Sequence, residues 1–140
     1  MMRKIVSFLL ASLLAVHAFA QQPGPGEVDA AKSTAQHWVE VVDHAQYAES
    51  WDEAAQGFRK AINKPDWEKA VAGARAPFGT VEKRELISAT YAEQLPHSPA
   101  GKYVVIQYRT RFTGGKSATE TITPMKDADG SWRVAGYFIQ

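Results

Sequence analysis

Arg75 and Arg84 flank the turn-forming Pro77, Phe78 and Gly79, and Glu120 lies in a later alternating stretch. Two guanidiniums and a carboxylate support two kinds of chemistry. They can lock a helix end onto a sheet as a structural ion pair, with Glu120 or Glu82 as the partner, or the arginines can hold an anionic ligand such as a carboxylate or phosphate. Asp43, Tyr47, Asp52 and Glu53 gather at a junction between helical segments. An Asp base beside a Tyr donor suits proton abstraction next to a carbonyl. The same residues also suit capping, because Ser50 and Glu53 have the spacing of a capping box. His37, Glu40 and His44 fall at i, i+3 and i+7 on one helical ridge, and imidazole with carboxylate is a zinc or copper donor set. The outer two are two turns apart, about 10 Å along the axis, so one ion does not reach both and a solvated face is expected. Asp127, Asp129 and Gly130 begin like a calcium loop, but Phe138 stands where the bidentate Glu belongs, so a hairpin turn is expected. The sequence has no Gly-rich phosphate loop and no GxSxG nucleophile. It also has no cysteine, which excludes disulfides, cysteine-ligated zinc and a thiol nucleophile. No catalytic residue, metal or cofactor is therefore assigned. Trp38, Trp51, Phe58, Trp67 and Tyr108 are the aromatic candidates for lining a ligand pocket, with core packing as the alternative for each.

The elements that must position these residues are legible as periodicities. Ala31, Ala35, Trp38, Val42 and Ala45 form one helical stripe, with Asp29 as its expected cap. Trp51, Ala54, Ala55, Phe58 and Ile62 form a second, expected to run over 51–62 from the capping box. Asn63 and Pro65 open a third, carrying Trp67, Ala70, Val71, Ala74 and Phe78. Gly57 and Gly73 are costly inside helices, and close helix contact would account for them. After Gly79 the period changes to two. Strands are expected near 81–91, 102–112, 118–125 and 132–139, the first bulged where its phase breaks. Gly114-Gly115 and Asp127 to Gly130 mark hairpins. Arg109, Arg111 and Arg133 are expected to share the outer sheet face with Tyr103, Val105 and Tyr137, a surface suited to a homodimer. The predicted fold is α+β, with three N-terminal helices packed on a curved four-stranded antiparallel sheet.

The chain has 140 residues and a net charge of +1, which fits one domain and does not supply the basic surface of a nucleic-acid binder. Residues 1–20 have the layout of an export signal: Arg3 and Lys4, an apolar run from Ile5 to Val16, and Ala18-Phe19-Ala20 as the cleavage site. Cleavage after Ala20 leaves residues 21–140 with a net charge of −1 and no stable membrane anchor. Residues 21–28, rich in Pro and Gly, are expected to be a flexible leader to a single domain over 29–140. The expected location is the periplasm.

Several of these features occur together in a recognisable order. Trp51 and its Ala-rich helix are followed by Trp67, by Arg75-Ala-Pro-Phe-Gly79, and by Arg84. Then come Gly101-Lys-Tyr-Val-Val-Ile106, Glu120-Thr121, and Trp132-Arg-Val-Ala-Gly-Tyr137. In this the sequence resembles domain-of-unknown-function family 4019, small secreted bacterial proteins without an assigned activity. The order of elements also resembles the nuclear transport factor 2-like, or cystatin-like, architecture, in which a curved sheet wraps helices around a cone-shaped pocket. The resemblance implies a fold and no catalytic residue. The function expected is a non-catalytic module that binds a small ligand or an envelope protein. The alternatives are a small isomerase- or hydrolase-like enzyme with Asp43 or Tyr47 as its acid–base group, and a structural subunit of an envelope assembly.

Overall fold

The computed structural model describes residues 22–140; the expected signal segment and its cleavage site lie outside them. Four helices precede four strands: α1 (Glu27–Asp43), α2 (Tyr47–Asp52), α3 (Gln56–Ala61), α4 (Lys64–Arg75), then β1 (Val81–Ala92), β2 (Tyr103–Phe112), β3 (Ser117–Lys126) and β4 (Trp132–Ile139). The strands form one antiparallel meander in the order β1-β2-β3-β4, as short Gly-bearing links require. The class is α+β, and α1 lies across all four strands. The core between them is Ala31, Ala35, Trp38, Val39 and Val42 from α1, Trp67 and Val71 from α4, and Val104, Ile106, Tyr108, Ile122 and Val134 from the sheet.

Where the structure departs from the periodicities, a long-range contact explains it. The first helix starts at Glu27, inside the expected leader, with Gly26 rather than Asp29 as its N-cap. The Glu27 carboxylate accepts from the Gly24 N–H at 3.0 Å and from Lys126 and Lys102 Nζ at 2.7 and 3.4 Å. These bonds tie the start of α1 to the sheet. The second helical stripe is two short helices, so the described residues hold four helices where the stripes predict three. The chain between them is diverted to the sheet: the Ala55 N–H donates to the Val134 carbonyl at 2.8 Å, and the Gln56 N–H to Asp127 Oδ2 at 3.0 Å. The capping box does not form. Ser50 lies inside α2, and Glu53 is that helix's C-cap. Asn63 does cap α4, accepting from the Asp66 N–H at 2.9 Å. Gly57 and Gly73 have no close neighbour; a Cβ at either would meet nothing within 4 Å.

Register shifts in β1 and β4 set the phase of the sheet. β1 shifts register between Val81 and Lys83, within the stretch from Val81 to Leu86 where the alternation breaks and a bulge is expected, and again between Leu86 and Ser88, just past it. β4 shifts between Gly136 and Val134, opposite Thr123 and Pro124, so Ala135 is an extra residue. Pro124, fully buried in an interior strand, sits at this bulge, where the ladder tolerates its missing N–H. Past the bulge the alternation inverts. Tyr137 pairs with Ile122 and turns inward, correcting its expected place on the outer face, and Phe138 turns outward at 58% exposure.

Candidate functional site

The inverted phase of β4 completes a buried polar cluster at one end of the core. Glu120, on β3, is 0% exposed. Its Oε1 accepts from Arg84 Nε and Nη2, at 3.0 and 2.8 Å, and from the Thr110 hydroxyl. Its Oε2 accepts from the Tyr137 hydroxyl and, at 3.4 Å, from Arg75 Nη1. Asp43, the last residue of α1, takes the remaining donors: Arg84 Nη1 and Nη2 at 2.7 and 3.0 Å, and Arg75 Nη2 at 2.8 Å. Arg75 Nη1 also donates to the Tyr137 oxygen at 3.2 Å, and its guanidinium lies 5.5 Å from the Phe112 ring centre. Two cations face two anions from α1, α4, β1 and β3, so the cluster has no net charge to offer an incoming ion.

The electrostatics follow from this pairing. Burial raises the Asp43 carboxyl, but the hydrogen bonds and charges of Arg84 and Arg75 outweigh it and hold it below the ordinary aspartate range. Burial opposes the charge on both arginines, and their partners reverse the balance and raise both. Burial and the neighbouring Glu120 push the Tyr137 phenol well above the ordinary tyrosine value. Arg75, Arg84 and Glu120 are thus brought together, with Asp43, Tyr137 and Thr110 as members the sequence reading did not join to them. An inward Tyr137 was illegible because strict alternation from Arg133 puts it outside. Asp43 is hydrogen-bonded by the two arginines, and among the described residues no hydrogen bond joins it to Tyr47.

The aromatic candidates are placed separately. The Trp38 N–H donates to the Ser50 carbonyl at 2.8 Å and the Trp67 N–H to Ser50 Oγ at 2.9 Å, their rings 5.9 Å apart. The Trp51 N–H donates to the Ile62 carbonyl at 2.8 Å, and Phe58 meets Trp67 edge-on at 4.9 Å. Tyr108 is buried in the core. Burial raises the Tyr108 phenol. Two open clefts touch this group. One, of about 550 Å³, runs between α1, the end of α2 and the start of β4, and reaches Trp38. The other, of about 660 Å³, lies between α3 and the β1–β2 connection and reaches Phe58. His37 Nε2 lies 3.1 Å from Glu53 Oε2, and His44 Nδ1 lies 2.7 Å from the Glu40 carbonyl oxygen. Among the described residues no three His, Asp or Glu side chains converge as metal ligands, and no helix is long and apolar enough to cross a membrane.

The comparisons agree with this architecture and name no activity. A family model described as a protein of unknown function, DUF4019, matches residues 34–137. A solved structure from Catenulispora acidiphila, determined at 2.5 Å, is similar with a TM-score of 0.53 and 12% identity, covering 80% of this chain and 88% of that one. At that identity the likeness is one of fold. No curated protein is significantly similar in sequence.

Proposed function

The chain belongs to the DUF4019 family, and from that premise we propose that it is a non-catalytic binding module of the bacterial envelope. In this reading the chain is exported, cut after Ala20, and takes a small ligand or an envelope partner on an open cleft. The same reading takes the helices on a curved sheet as a nuclear transport factor 2-like arrangement in which Trp38, Trp67 and Tyr108 fill the core between helices and sheet.

The observation that carries this reading is the closure of the polar cluster. A general acid or base must present a proton or a lone pair to substrate. Asp43 and Glu120 spend theirs on Arg75, Arg84, Thr110 and Tyr137. The test is to purify the exported product and measure its thermal unfolding against a panel of sugars, amino acids, short peptides and phosphate. The expected product begins at Gln21, and its expected ligand raises the melting temperature saturably and is recovered chemically unchanged. A membrane-bound chain that keeps its first twenty residues, or a ligand converted to product, would overturn the proposal.

A further inference from the structure

The cleft between α1 and β4 has a feature that the core tryptophans lack. Trp38, Trp51 and Trp67 each donate the indole N–H to an oxygen, and their rings meet another ring or a cation. Trp132, which lines the cleft, does neither among the described residues. Arg133 beside it also borders the cleft, and its Nε is buried without a hydrogen-bond partner. The nearest carboxylate oxygen, on Asp127, is 3.8 Å away, beyond hydrogen-bonding distance. Buried donors are nearly always paired. Arg133 Nε is one buried donor left unpaired and Arg59 Nε, away from this cleft, is another; the Trp132 indole is half-buried with its N–H unclaimed at the cleft, where the core indoles are paired.

The rest of the lining says what ligand the cleft suits. Ser33 and Thr34 bring hydroxyls that make no hydrogen bond among the described residues. The charged members each already have a partner: Glu53 Oε2 lies 3.1 Å from His37 Nε2, Asp52 is held by Lys64 Nζ at 2.6 Å, and Arg133 by Asp129 Oδ2 at 2.8 Å. A site whose charged groups are each already held by a neighbour makes no call on a charged ligand. An unstacked indole offers a flat apolar surface, and the donors and spare carboxylate lone pairs around it suit a ligand with a rim of hydroxyls. The volume, about 550 Å³, lies within the range of ligand clefts.

We infer that this cleft binds an uncharged saccharide, one pyranose ring stacked on Trp132 and its hydroxyls exchanging hydrogen bonds with the Ser33 and Thr34 hydroxyls and the spare carboxylate lone pairs of Asp52 and Glu53. The inference rests on the binding-module reading and gives it a ligand class. It is tested by following tryptophan fluorescence and calorimetry while the protein is titrated with soluble tetrasaccharides, β-1,4-linked N-acetylglucosamine in one arm and cellotetraose in another. Co-sedimentation with purified peptidoglycan sacculi asks whether the sugar is taken from a polymer. Binding to at least one probe is expected. It should weaken more than tenfold in Trp132→Ala and in Ser33→Trp, which fills the cleft from an exposed helical position and leaves β4 untouched. Failure of all three probes to bind overturns the inference, as does equal binding by parent and a folded Ser33→Trp variant. If another small molecule stabilises the protein while every sugar fails, the saccharide is wrong and the binding module stands.

Discussion

At the scale of single residues, the buried polar side chains explain more than their number suggests. Ser50 is fully buried inside α2. Its hydroxyl donates to the Tyr47 carbonyl and accepts the Trp67 indole N–H, while its own carbonyl takes the Trp38 N–H. One small residue thus fixes two large rings. Ser50→Ala keeps the volume but strands the Trp67 donor, so a loss of about 1–3 kcal/mol is expected by urea unfolding. Asp43 carries a pH prediction. Its folded pKa is depressed below that of an unfolded aspartate. Its contribution is therefore present above about pH 4, the ordinary aspartate value, and is lost as pH falls through the lower folded value. Thermal melts across an acid series should show the melting temperature dropping below pH 4 in the parent, with a smaller drop in a folded Asp43→Asn variant. Equal acid slopes in the two would contradict this.

At the scale of elements, the helical stripes, the change to a period of two and both Gly-bearing hairpins were legible from residues 27–140. Asn63 with Pro65 marked α4 correctly because a cap is local chemistry. The break at residues 53–55 was not legible. The Ala55 and Gln56 N–H groups are drawn to Val134 and Asp127, about seventy to eighty positions away in sequence, and local pattern carries no such information. The Ala135 bulge was hidden for the same reason: it shows only in the pairing with Pro124. The charge cluster was half legible. Arg75, Arg84 and Glu120 were singled out by type, whereas Asp43 was read as a turn or base residue and Tyr137 as an outer-face residue. Gly73 gives a test at this scale. It sits within α4, and a Cβ added there has nothing within 4 Å. Gly73→Ala should therefore stabilise the protein by about 0.5–1 kcal/mol, seen as a higher urea midpoint at unchanged slope. A destabilised variant would mean that the helix is held by a contact this geometry does not contain.

At the scale of the molecule, the two ends of the core differ. One end is closed by Asp43, Arg75, Arg84, Glu120 and Tyr137, which clamp the ends of α1 and α4 to β1, β3 and β4. Along the side, Trp132 and Arg133 border an open cleft. A closed clamp and a separate open surface are the two parts that the proposed binding module requires. The account depends on the clamp being structural. Removing one partner of a buried ion pair leaves an uncompensated charge and costs about 3–5 kcal/mol. The most direct measurement is equilibrium urea unfolding of Arg84→Met beside the parent, each with and without millimolar phosphate. The account predicts a loss of that size in the variant and no effect of phosphate on the parent. A variant as stable as the parent, with phosphate protecting only the parent, would show instead that the arginines serve an anionic ligand.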